Sequence, residues 1–207
     1  MKFAFLAFND LEELDLMGPW ELLGGGLKNE GIIDEAFIVA ESDAVITCAK
    51  GLQILPHYSF ETCPEFEYIL IPGGWGTRAE AKNSVLLDFL KTRSANCKAV
   101  LSVCTGSFIL AEIGLLKGKQ ATTHWGSLDR LREFGGIEVI EERYTNDGEV
   151  WCSAGISAGM DMALAFINDT FGEDIAEKIQ FYTEYYPQGT VYGKPEENDQ
   201  APGYLKA

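Results

Sequence analysis

Positive charge, histidine and long apolar runs are all scarce in this 207-residue sequence. Lys and Arg number 16 against 32 Asp and Glu, for a formal charge of -16. Such a field repels phosphate backbones and anionic lipid. It therefore excludes nucleic acid and membrane surfaces as expected partners and leaves a small-molecule substrate. No apolar stretch approaches the roughly 18 residues that a bilayer span needs. The amino terminus carries one Lys and a short apolar run soon broken by acids, which makes a poor signal peptide. Only His57 and His124 are available as imidazole ligands, and no two of Cys48, Cys63, Cys97, Cys104 and Cys152 are spaced C-x-x-C, so no metal site is expected. Five sparse cysteines do not make a disulfide scaffold, and a reducing cytoplasm is the expected setting. Repeats, low-complexity blocks and linkers are absent, which predicts a single domain over residues 1–207.

What is present is enough apolar material, 46% of residues, to build a full core. Short apolar runs alternate with helical patterns, the signature of an α/β domain with a mostly parallel sheet. Lys2 to Phe8, Ala36 to Ala40, Tyr68 to Ile71 and Ala99 to Val103 read as strands buried on both faces, with Ala121 to His124 a shorter candidate. Residues 137–154 read as two strands joined by the turn Asn146-Asp147-Gly148. Asp10 followed by Glu13 fits a capping box opening a helix that ends near Gly24-Gly25-Gly26, with Pro19 kinking or restarting it. Further helices are predicted over Thr77–Ala95, Thr105–Leu116, Ser127–Phe134 and from Ser157 onward, breaking near Gly172. Residues 187–207, rich in Pro, Gly and polar groups, are expected to wrap the surface or fray.

Three segments carry chemistry. In LSVCTGSFILAEIGLL an apolar strand meets a small-residue turn and then a helix, which places Cys104 as on a nucleophile elbow. The amino end of that helix favours negative charge, so a depressed thiol pKa is expected, with nearby amides able to stabilise developing charge. The competing reading is a small buried cysteine. In YILIPGGWGTR a strand ends at Pro72-Gly73-Gly74, whose glycine amides are candidates for an oxyanion or anion-binding element; alone, the segment is only a turn. In LEELDLMGPWELL, Asp15 stands among apolar residues. It is either solvated, as expected of Glu12 and Glu13, or buried, protonated and able to donate a proton.

The set LDLMGPWE, IPGGWG, SVCTGS, ATTHW and GISAGMDMAL resembles the ThiJ/PfpI superfamily, and within it the isonitrile hydratase-like branch. The resemblance spans almost the whole chain. It implies a flavodoxin-like three-layer α/β sandwich of the class I glutamine amidotransferase-like kind, and a homodimer. It further implies a hydro-lyase that hydrates an isonitrile to an N-substituted formamide without metal or organic cofactor. The family's catalytic cysteine matches Cys104, its neighbouring threonine Thr105, and its first-helix acid Asp15. A Cys-His hydrolase triad is not expected, because the later chain offers only His124 and no His-x-Glu. His124 is read as lining the pocket or bonding structurally; Trp75 and Trp125 either wall the pocket or belong to the core. Two other readings stay open: glyoxalase-type aldehyde chemistry at the same cysteine, and a redox or ligand sensor that turns nothing over.

Overall fold

The computed structural model describes residues 1–187 and 192–206. Its strands are β1 (Lys2–Leu6), β2 (Glu35–Ala40), β3 (Ile46–Thr47), β4 (Gln53–Ile54), β5 (Tyr58–Ser59), β6 (Tyr68–Ile71), β7 (Ala99–Val103), β8 (Gln120–Ala121), β9 (Glu138–Val139), β10 (Tyr144–Asp147) and β11 (Val150–Ser153). Seven of them form one sheet in the order β10-β11-β7-β6-β1-β2-β5. Every neighbouring pair in it is parallel except the edge hairpin β10–β11. In the central strands Phe5 pairs with Ile38 on one side and Leu70 on the other, and β6, β7 and β11 are buried along their whole length. That is why these segments read as unbroken apolar runs.

The helices are α1 (Glu13–Pro19), α2 (Leu27–Asn29), α3 (Thr77–Glu80), α4 (Ser84–Ser94), α5 (Gly106–Glu112), α6 (Leu128–Glu133), α7 (Ala158–Phe171) and α8 (Glu173–Tyr182). One group, α1, α7 and α8, packs together; α5 packs with α3 and α6 as a second, and the result is a flavodoxin-like α/β sandwich. Phe166 of α7 meets Phe3 at 6.3 Å, Tyr68 at 5.7 Å and Trp151 at 5.5 Å between ring centroids, all near perpendicular. One fully buried ring thus ties α7 to three strands, worth about 1.5–3 kcal/mol in burial alone.

Several expectations need correction. The first helix is capped at Glu12, without a side-chain bond, so Asp10 and Glu13 form no capping box. Pro19 does not stop the chain: the helix runs through it and widens into a π-helical turn over Trp20–Gly26. The helix expected over Thr77–Ala95 is two, because Asn83 caps a fresh start by accepting from the amides of Val85 (3.1 Å) and Leu86 (3.4 Å). The segment near Ala121 pairs with β9 in a separate two-stranded sheet and adds nothing to the main one. The break at Gly172, with φ of 97°, falls where expected. Of the tail expected from residue 187, residues 188–191 and 207 lie outside the described residues; farther on, the Gly203 amide donates to Glu141 at 2.7 Å.

The strand order fixes where a ligand can sit. From β1 the chain steps to β2 on one side and later returns to β6 on the other, so the order reverses between β1 and β6. Loops leaving the two strands there splay apart and open a crevice at the carboxyl edge. An isolated bridge from Leu11 to Gly74 ties those two loops together.

Candidate active site

Cys104 lies between the end of β7 and the start of α5, in the left-handed region with φ of 55°. A non-glycine residue there carries about 1–3 kcal/mol of strain and persists only if its surroundings hold it. They do so on both sides. The Cys104 amide donates to the carbonyls of Ser153 (3.1 Å) and Ala154 (3.2 Å), and its own carbonyl accepts from Ser107 Oγ (3.1 Å) and Thr123 Oγ1 (2.8 Å). Thr123 belongs to the ATTHW segment, and through this bond that segment pins the strained turn.

Asp15 is completely buried. Small residues explain how α1 comes so close. A Cβ on Gly159 would stand 3.0 Å from Val103 and 3.1 Å from Pro19, and one on Gly18 would stand 2.9 Å from Met160. The helices α1 and α7 therefore nest over the end of β7 and set the Asp15 carboxyl beside Cys104. The carboxyl accepts from the Gly73 amide at 3.0 Å and from the Ile156 amide at 3.2 Å. Ile156 is itself left-handed, with φ of 55°, so a second strained residue aims an amide at the same group. Burial pushes the Asp15 pKa up to about 7, and its two backbone donors only partly offset this.

The thiol pKa is also raised, first by burial and then by the Asp15 carboxylate; hydrogen bonding to the Thr105 amide and hydroxyl works the other way and loses. This reverses the depressed value expected from the helix terminus. The pair rests with the proton on sulfur and with Asp15 close to half-ionised near neutrality.

The glycine amides are corrected too. Gly73 is spent on Asp15, and the Gly74 amide donates to Thr105 Oγ1 at 3.1 Å, so neither is free to cradle an anion. Gly73 is needed for space: a Cβ would stand 2.6 Å from the Thr105 nitrogen and 2.7 Å from both Asp15 Oδ2 and Cys104 Cβ. Thr105 Oγ1 also meets Thr77 Oγ1 (3.0 Å), which donates to the Gly74 carbonyl at 2.7 Å. The same carbonyl also accepts from the Thr105 hydroxyl at 3.1 Å, so both threonines anchor the Gly74 turn beside the thiol.

Cys104 and Thr105 open into a cavity of about 250 Å³, also lined by Glu12, Gly74, Trp75, Arg78, His124, Gly126, Ser127 and Ile156. Trp75, 71% exposed, is a wall and not core. His124 is there as well, its pKa lowered by burial; its Nδ1 accepts from the Gly126 amide at 3.1 Å, which leaves Nε2 to carry the proton of the neutral ring. Trp125 instead lines a neighbouring cavity with tail residues such as Tyr192 and Pro195. Glu12 and Glu13, expected to be solvated, are half-buried and held by Lys50 through its ammonium and its amide. His57 sits apart, accepting from the Ile38 amide at 3.0 Å. A larger depression, about 750 Å³ between α7, α8 and the β10–β11 hairpin, is lined by Asp161, Asp169, Glu173 and Glu177 and by no thiol. Among the described residues no three His, Cys, Asp or Glu side chains gather as a metal site, and no helix is long and apolar enough to cross a membrane. The sequence reading missed Ile156, Thr77 and Arg78.

Comparison with known proteins adds to this geometry. Residues 1–169 match the DJ-1/PfpI family. The isonitrile hydratase of Pseudomonas putida is 37% identical over 188 residues, 90% of this chain and 79% of that protein. Deglycase PfpI of Pyrococcus furiosus is 29% identical over 156 residues, 74% of this chain and 89% of that protein. The crystal structure of a ThiJ/PfpI family protein from Pseudomonas syringae superposes with a TM-score of 0.86 at 34% identity, covering 99% of this chain and 82% of that one.

Proposed function

The chain belongs to the DJ-1/PfpI family, and on that premise we propose that it hydrates an isonitrile to an N-substituted formamide through Cys104. The observation that carries the reading is the fully buried Asp15 carboxyl, with its pKa near 7, set beside a thiol that keeps its proton. The 37% identity to an isonitrile hydratase supports the same substrate class.

An isonitrile carbon holds a lone pair and also accepts a nucleophile, so hydration places a proton and a nucleophile on one atom. A protonated thiol beside a carboxyl poised near neutrality supplies both. Sulfur bonds to the terminal carbon while the thiol proton passes through Asp15 to that carbon. The triple bond becomes a C=N bond and the adduct is a thioimidate. Water then adds across C=N, its oxygen to carbon and a proton to nitrogen. Finally the C–S bond breaks, the carbonyl forms, the hydroxyl proton returns by way of Asp15 to sulfur, and the formamide leaves. Thr105, whose hydroxyl rests on the Gly74 carbonyl at 3.1 Å in the free protein, turns to hold the attacking water or the nitrogen when substrate enters.

The test is turnover of cyclohexyl isocyanide and one aromatic isonitrile, with formamide followed by chromatography. Cys104→Ala is expected to abolish turnover, and Asp15→Asn to lower it by orders of magnitude because the proton relay is lost. Activity retained by Cys104→Ala would sink the mechanism. If the folded, reduced protein turns over neither isonitrile, the 29% identity to a deglycase makes aldehyde chemistry at the same cysteine the next reading, and glyoxal consumption its assay.

A further inference from the structure

Two residues lining the Cys104 cavity carry charge at neutral pH, Glu12 and Arg78. Glu12 is held in an ion pair with Lys50, whose ammonium Glu13 shares at 3.9 Å. Arg78 has no such partner: among the described residues no carboxylate lies within ion-pair reach of its guanidinium. The guanidinium sits 4.1 Å from the centre of the Trp75 ring, and its one hydrogen bond among the described residues is a 3.5 Å contact with the Gly74 carbonyl, at the limit of such a bond. Arg130, laid over Phe108 at 5.1 Å, adds a second positive charge nearby; partial burial first, and then this neighbour, lower the Arg78 pKa. His124 is neutral, so it neither competes for nor repels an anion. The cavity wall therefore holds one cation without an ion-pair partner among the described residues, Arg78, within a protein whose overall charge is -16.

An arginine stacked on an aromatic face is fixed in plane while its nitrogen fork stays open. That fork matches the two oxygens of a carboxylate. We propose that Arg78 and Trp75 form a subsite for a carboxylate on the substrate's substituent, so that the preferred substrates are small carboxylated isonitriles rather than neutral alkyl ones. The cavity, at about 250 Å³, suits a molecule of that size. This rests on the hydratase reading for the identity of the reacting group, while the subsite itself rests only on the cavity wall.

The experiment compares isocyanoacetate with its methyl ester, which differ in the carboxylate alone, for the wild type, Arg78→Met and Arg78→Lys. It also measures by calorimetry the binding of the corresponding products, N-formylglycine and its methyl ester. The wild type is expected to favour the carboxylate in kcat/KM by roughly tenfold or more, the worth of a charge-assisted hydrogen bond. Arg78→Met should lose that ratio and bind N-formylglycine at least tenfold more weakly, with Arg78→Lys recovering part of both. Thermal unfolding of each variant establishes that it is folded, and Arg78→Lys serves if Arg78→Met is not. If neither isonitrile turns over but N-formylglycine binding still depends on Arg78, the subsite stands and the hydratase reading falls. If N-formylglycine binds wild type and variants alike, the subsite is wrong whatever the turnover.

Discussion

Replacing Asp15 by Asn is expected to remove a specific pH dependence from the stability of this protein. In the unfolded chain the carboxyl titrates near 3.8; in the folded protein burial holds it near 7. Between those values the folded state binds a proton that the unfolded state has released, so stability falls as pH rises from about 4 to about 7 and levels off above. Integrated between pH 5 and pH 8.5, this group alone accounts for about 3 kcal/mol. Asn cannot ionise, so its variant lacks that slope. Its amide nitrogen must face one of the two backbone donors, Gly73 or Ile156, at a cost of about 1–3 kcal/mol that does not vary with pH. The assay is urea unfolding of both proteins, under reducing conditions, at half-unit steps from pH 5 to pH 8.5. Taking the difference cancels every other titrating group the two share, and the Cys104 thiol, raised above its ordinary value, keeps its proton throughout this range. The stability difference, wild type minus variant, should drop by about 3 kcal/mol across the window. A difference constant to within about 1 kcal/mol would show that Asp15 is ionised in the folded protein well below pH 7, and the relay role given to it would fail.

Other consequences can be tested separately. Cys104 should react slowly with iodoacetamide at pH 7 and faster as pH rises well past 9, with Asp15→Asn shifting the profile to lower pH; rapid labelling of the folded wild type at pH 7 would contradict the raised thiol pKa. Thr123→Val removes the 2.8 Å bond to the Cys104 carbonyl and should cost about 1–3 kcal/mol of stability by denaturant titration, with a larger loss in kcat than in KM. Gly159→Ala forces a methyl group against Val103 and Pro19 and should destabilise by about 1–3 kcal/mol while lowering turnover, because α1 and with it Asp15 must shift. Phe166→Ala should cost about 3–5 kcal/mol in the same titration, since its ring joins α7 to three strands.

The buried strands were legible because β1, β6 and β7 are covered on both faces, so their apolar runs have no other reading. The short strands β3, β4 and β5 were not, because two residues carry no pattern. Cys104 and Asp15 were singled out from local context and Thr105 through the family resemblance, yet whether Asp15 was buried depended on α7, which follows in the chain more than a hundred residues later. Gly73 and Gly74 look like anion donors in sequence because a Gly-Gly turn after a strand leaves amides open; their acceptors, Asp15 and Thr105, come from helix α1 and from the turn that opens α5. Ile156 could not be found by propensity at all. A β-branched residue is the last expected in left-handed backbone, and only its adjacent Gly155 hinted at a tight turn.

The bond between the Ile156 amide and the Asp15 carboxyl joins residues 141 apart. During synthesis the amino-terminal strands and α1 emerge long before the segment that completes the pocket, so Asp15 and Cys104 spend that interval without their enclosure. The pair is complete only in a chain synthesised as far as Ile156; one stopped before it carries both Asp15 and Cys104 but lacks an amide that holds the carboxyl.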